Sequence, residues 1–327
     1  MRYRSTVPLC IALFVATSGC ADGDKSSETS KDSDSRSPEP STSVPTIAVT
    51  TTTMPAGDRF CAMSGVPQQT GTLADPALVE VSGVVASRRH PGVFWVHNDS
   101  GDRARIFAID ETGARRGEFV IDGVEATDWE DIALVPGSSG DDIVVADIGD
   151  NAAQRSSVRL LHVPEPDLPA DPTSPVTVAG LEPVEYVYDD GPHDAESLFY
   201  DVVSDELKII TKAYVGEPHV FTTSGAVGGP PLMLTRGGPA ALGLGQLATG
   251  ADATLDGSAI LVRTYTSVLV FPRGADESVD DALGREPCIG PSSPEQQGEA
   301  IAMLSDGSGY ITISEGAGAP IWKVNLG

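Results

Sequence analysis

DWEDIALVPGSSGDDIVVADIGDN, residues Asp128 to Asn151, reads as two short apolar runs separated by a polar turn and flanked by acid. Ile132, Ala133, Leu134 and Val135 predict one strand, and Ile143, Val144, Val145 and Ala146 a second. Gly137 to Asp142 supply the residue types that make a turn. Antiparallel pairing brings the start of the first strand beside the end of the second. Glu130 and Asp131 are then expected near Asp147, Asp150 and Asn151. So many carboxylates in one place repel one another or hold a cation.

The unit recurs. Val81–Gly101, Ala195–Lys212, Ala248–Tyr265 and Gly298–Gly316 each open on an oxygen-bearing residue. Each then runs through a strand, a polar turn and a second strand. Aligned on the strand start, Ser82, Glu130, Glu196, Thr249 and Glu299 fall at one position, with successive spacings of 48, 66, 53 and 50 residues. A period near fifty with several strands predicts an all-β fold, a β-propeller of five four-stranded blades. Six is the alternative, if the Pro164–Pro183 region holds another. The last unit lacks its outer strand, which a strand between Phe60 and Leu78 would supply, closing the ring and removing its exposed edges.

Met1–Cys20 carries Arg2 and Arg4, then an apolar run too short to span a bilayer, then Thr17-Ser18-Gly19-Cys20. This resembles a bacterial lipoprotein signal, and the resemblance implies acylation of Cys20 and tethering to the outer face of the cell membrane. An ordinary cleaved secretory peptide is the alternative. Residues 21–58 are rich in Ser, Thr, Asp and Pro with few large apolar side chains, a disordered linker by composition. Residues 59–327 form the propeller domain. Cys10 leaves with the signal and Cys20 takes the lipid, so Cys61 and Cys288 are the expected disulfide of an exported domain.

The net charge of −26 lies almost wholly in the domain, which argues against nucleic acid or a broad anionic membrane surface as partner. It suits a protein that meets divalent cations. Ser82, Glu130, Glu196, Thr249 (or Asp252 beside it) and Glu299 form an all-oxygen set that fits Ca²⁺, and no Cys/His set has zinc spacing.

At the exits of the second strands stand His97, Asn98, Asp99, Asp147, Asp150, Lys212 and Arg263. Lys212 and Arg263 suggest an anion pocket over the metal, or else they pair with neighbouring carboxylates. Asp99, Asp147 or Asp150 would orient or deprotonate a water, with His97 assisting.

The motifs VSGVV, DWEDIAL, DAESLFY, ATGAD and QGEAIAM together resemble the soluble calcium-activated nucleotidases, apyrases of five-bladed propeller fold. More distantly the chain is similar to propeller phytases. In the nucleotidases Ser, Glu, Glu, Ser and Glu ring a central Ca²⁺, and Thr249 here keeps the fourth hydroxyl. The resemblance implies a Ca²⁺-dependent phosphohydrolase acting on a small anionic ligand. The basic and aromatic residues that grip the nucleotide have no matches here. A non-catalytic surface scaffold for a protein partner, with structural Ca²⁺, is therefore the other expectation.

Overall fold

The computed structural model describes residues 56–62, 65–179, 183–223 and 231–326. The signal segment with Cys20, and the linker as far as Pro55, lie outside the described residues. No helix among the described residues is long and apolar enough to cross a membrane.

Strands dominate. A short helix, α1 (Ala56–Cys61), precedes β1 (Gln68–Thr72). Four strands follow as a meander: β2 (Val81–Ala86), β3 (Val93–Asn98), β4 (Arg105–Asp110) and β5 (Arg115–Asp122). The opening stretch forms β6 (Trp129–Gly137) and β7 (Gly140–Asp147), with β8 (Val158–Pro164), β9 (Val176–Ala179) and β10 (Val184–Tyr188) after it. Then come β11 (Ala195–Asp201), β12 (Glu206–Thr211), β13 (His219–Thr223) and β14 (Leu232–Pro239). The chain continues with β15 (Ala248–Ala253), β16 (Ala259–Thr264), β17 (Val268–Pro272), α2 (Val279–Leu283) and β18 (Cys288–Gly290). It ends with β19 (Gly298–Met303), β20 (Gly309–Ser314) and β21 (Pro320–Asn325).

The β6–β7 turn is tighter than the sequence suggests. Asp141 and Asp142 join the ladder opposite Pro136 and Val135, leaving only Ser138 and Ser139 between strands. Gly140, at φ 144°, takes a conformation that a side chain disfavours.

The strands pair as four sheets in an all-β, propeller-like arrangement. Two are simple: β15-β16-β17-β18, and β19-β20-β21 completed by β1 from the other end of the domain. A third, β2-β3-β4-β5, gains β9 as a parallel fifth strand. The fourth has eight strands, because β10 lies antiparallel to β8 and also parallel to β14. The Pro-rich segment is thus a strap across three strand sets. Its Glu165 accepts from Trp95 Nε1 (2.8 Å) and Ser87 Oγ (2.6 Å), pinning it to the first sheet.

The first strands of the sets, β2, β6, β11, β15 and β19, pack each against the next, and β19 against β2, in a closed circuit. Period-two alternation decides which way each side chain goes. On β6, Ile132 and Leu134 enter the core shared with β2–β5, whereas Ala133 and Val135 enter the core shared with β11–β13. Five such apolar layers fill the spaces between neighbouring sets. Each fully buried Val, Ile, Leu or Phe contributes about 1.5–3 kcal/mol.

Phe60 of α1 enters the last layer, and Cys61 is bonded to Cys288 with a Cα–Cα distance of 5.6 Å. That bond spans 227 residues and fastens the start of the domain to β18.

Candidate metal centre

Five inner strands begin with the same irregularity. The ladder register skips one residue between Val81 and Gly83, Trp129 and Asp131, Ala195 and Ser197, Ala248 and Gly250, and Gly298 and Ala300. The skipped residues are Ser82, Glu130, Glu196, Thr249 and Glu299, the set that the sequence alignment places together. A bulge releases a residue from the ladder and re-aims its side chain. Here it happens at equivalent places on the five strands of the circuit.

Ser82, Glu130, Glu196 and Glu299 line a polar cavity of about 170 Å³, joined by Asp99, Lys212 and Glu315. The three glutamates are only 4%, 6% and 5% exposed. Thr249 does not line it. Its hydroxyl donates to the main-chain carbonyls of Gly298 (2.9 Å) and Glu299 (3.3 Å) on the next inner strand. Ser82 makes the equivalent bond to the Glu130 carbonyl at 2.5 Å, with Glu130 Oε2 3.5 Å away. The two hydroxyls therefore stitch neighbouring strands. Asp252, the alternative to Thr249, is turned to another purpose: its carboxylate accepts from Met303 N and Ala253 N.

Two carboxylates that the sequence reading left out complete the cluster. Oxygens of Asp99, Asp128 and Glu130 lie within 4.8 Å of one another. Gly149 makes the room, since a Cβ there would stand 2.1 Å from Glu130 Oε1 and 2.5 Å from Asp128 Oδ2. Asp194, just before β11, accepts from Asp150 N through Oδ1, while its buried Oδ2 has no hydrogen-bond partner.

Electrostatics set the chemistry. Two unit charges 4.8 Å apart repel by roughly 3 kcal/mol at an effective dielectric of 20. Three ionised pairs would cost on the order of 10 kcal/mol, as much as a whole domain is usually stable by. Protons or a cation must therefore balance the cluster. Burial, then the neighbouring carboxylates, push Glu299 up to about 9 and Asp128 up to about 6. Glu130 and Glu196 move the same way, burial first, although Lys212 pulls Glu196 back. An all-oxygen, carboxylate-rich set of this kind fits a hard divalent cation.

Lys212 follows β12 and donates to Glu196 Oε1 and, at 2.7 Å, to the Tyr265 hydroxyl. Its ammonium also lies 4.9 Å from the Tyr265 ring centre and 5.9 Å from that of Tyr214. Arg263 requires a correction as an anion-binding residue. It is completely buried, absent from the cavity lining, and donates to Glu295 Oε2 at 2.5 Å. A Cβ on Gly298 would stand 1.9 Å from Arg263 Nη2, so the guanidinium packs beneath the residue before Glu299.

Three expected catalytic residues also stand apart from the cavity lining. Asp147 is taken by Arg155 (2.8 Å) and Arg159 (2.5 Å). Asp150 accepts from Arg155 N at 2.7 Å and serves the loop. His97 is fully buried, with Nδ1 2.9 Å from the Asn98 carbonyl oxygen and its ring edge-on to Trp129. Burial lowers its pKa to about 4, so it is neutral at physiological pH, and it is absent from the cavity lining. Of the four, Asp99 alone lines the cavity.

Asp131 lies one residue beyond Glu130 and is fully buried. Its Oδ2 accepts from Leu198 N (2.8 Å) on β11 and Ala251 N (3.0 Å) on β15, and Oδ1 from Ile132 N (2.9 Å). It ties three inner strands together below the cavity.

Fold and site together define an all-β, propeller-like protein with a buried acidic cluster able to hold an ion. No family model and no curated relative matches the chain. Among solved structures it is similar to a gluconolactonase of Xanthomonas campestris at 12% identity and a TM-score of 0.41. That likeness covers 80% of this chain and 97% of the other.

Proposed function

We propose that residues 59–327 form a five-bladed propeller that holds Ca²⁺ in its axial cavity and hydrolyses a phosphorylated or otherwise anionic substrate there. The observation that carries this reading is the circuit of five inner strands, each bulged at the residue in the ligand position. Glu130, Glu196 and Glu299 would hold the ion with Asp99, Asp128 or Ser82 in reach. Bound there, Ca²⁺ would supply Lewis-acid polarisation of a substrate oxygen.

The remaining work falls to the chain. Asp99, which lines the cavity, would accept a proton from an attacking water, with Asp128 within 4.8 Å of it. Glu196 is held in place by Lys212, and Glu299 accepts from Gln297 Nε2 at 3.2 Å. Asp131 fixes the strands that carry Glu130, Glu196 and Thr249.

The test pairs calcium calorimetry with a phosphate-release panel, beginning with nucleoside di- and triphosphates because of the resemblance to the nucleotidases. Calcium-dependent release that is lost in Asp99→Asn supports the hydrolase. One observation favours a second reading, a non-catalytic scaffold with structural Ca²⁺: Lys212 and Arg263 are both neutralised by carboxylates. Calcium binding with no release across the panel would select it.

We also propose that the N-terminal segment, which resembles a lipoprotein signal, would tether the domain through acylated Cys20 to the outer face of the membrane. Cys20→Ala should move the protein from the membrane fraction to the medium. Continued tethering would overturn the lipid anchor.

A further inference from the structure

Lys212 presents a puzzle for an anion-handling site. Its ammonium is the cation that lines the cavity, yet it is spent on Glu196 and capped by Tyr265. Its side chain is 4% exposed. An anion approaching this arrangement meets carboxylates and a lysine already committed to one of them.

The partner of Lys212 is itself in the ligand position of β11. A carboxylate that takes a dication has less charge to share, and the dication repels a neighbouring ammonium directly. Loading the cavity therefore weakens the Lys212–Glu196 contact from both sides. Lysine can respond, because its four-carbon stem is flexible and its charge is a compact point with three donors. A perch already exists. The Tyr265 hydroxyl and ring hold the ammonium on one side, and the Tyr214 ring, 65% exposed, stands toward solvent on the other.

We propose that Lys212 is an anion clamp released by the metal: cation binding frees its ammonium from Glu196, and only then does the cavity bind a tetrahedral oxoanion between cation and lysine. The proposal rests on the calcium reading above. It makes binding ordered, metal first, and it removes the objection that the site has no free cation. Coupling of this kind is reciprocal: whatever factor the metal adds to anion affinity, the anion adds to metal affinity.

Acylation of the wild-type domain by an amine-reactive ester, read by mass spectrometry at Lys212 and Lys323, gives the first test. Calcium should raise labelling of Lys212 about fivefold or more relative to Lys323, in line with release of a buried amine to solvent. Calorimetry with Ca²⁺ and methylphosphonate gives the second. The wild type should bind methylphosphonate only in calcium. Lys212→Met should bind Ca²⁺ at least as tightly as the wild type and methylphosphonate about tenfold more weakly.

If calcium binds but labelling of Lys212 stays constant, the release is wrong. Equal methylphosphonate affinity in Lys212→Met, or binding without calcium, also overturns the clamp and leaves the metal site standing. If the wild type binds no calcium at all, the metal reading fails and the clamp with it.

Discussion

Gly149 stands so close to Glu130 that a single methyl group would fall 2.1 Å from the Glu130 carboxylate oxygen. The loop that carries Gly149 follows β7, and Glu130 opens β6, so the hairpin's own exit shapes the acidic cluster at its entrance. Gly149→Ala pushes on the flexible ends of Glu130 and Asp128, which can swing away. The expected result is a small stability loss, about 1 kcal/mol, with a larger loss of calcium affinity of about tenfold. Calorimetry and melting in chelator separate the two. An affinity equal to wild type would show that Glu130 does not hold the ion.

The raised carboxylates fix the sign of a pH effect. Glu299 and Asp128 bind protons more tightly folded than unfolded, up to about 9 and about 6. Their contribution to the metal-free domain is complete below their unfolded values and fades as pH rises through the folded ones. On the proposed reading calcium would replace those protons, so its stabilising increment should grow from pH 5 to pH 8. Melting temperatures in chelator and in calcium across that range provide the check. An increment independent of pH would mean that protons and metal do not compete.

Asp131→Asn tests the tie beneath the cavity. Three main-chain N–H groups converge on the Asp131 carboxylate. Asparagine offers one acceptor oxygen and turns an NH₂ group toward donors. The loss should be about 2–3 kcal/mol by denaturant unfolding, since an unsatisfied buried donor costs about 1–3 kcal/mol. A midpoint within error of wild type would show that the inner strands do not need the tie.

Reduction of Cys61–Cys288 opens a bond that closes 227 residues. On the chain-entropy account, the Cys61→Ser, Cys288→Ser double variant should lose roughly 3–5 kcal/mol of stability. Equilibrium unfolding of both forms measures it, and equal midpoints would leave the bond without that role.

The five bulge positions were legible in the sequence because each opens a unit with a hydroxyl or a glutamate at a spacing near fifty. The residue types alone did not say how each side chain is used. Thr249 reads as a ligand by its place in the repeat, yet its hydroxyl serves the backbone of the neighbouring strand. Asp99 was legible at its strand exit, but Asp128 and Asp194 belong to loops whose meeting depends on how the sets pack. Arg263 misled because its partner, Glu295, lies 32 residues on in a Ser/Pro-rich loop with no periodic signal. The double pairing of β10 was equally hidden, since nothing in VEYVY distinguishes one neighbour from two.

The bulges separate what the site is made of from what the domain is made of. At Glu130, Glu196 and Glu299 the skipped residue can change identity without costing a ladder hydrogen bond or shifting a register, whereas the hydroxyls of Ser82 and Thr249 also tie neighbouring inner strands. The three glutamate positions thus act as interchangeable sockets on a fixed frame, and a lineage carrying this frame can alter the sign, number and reach of its axial groups by single substitutions while its sheets go on folding as before.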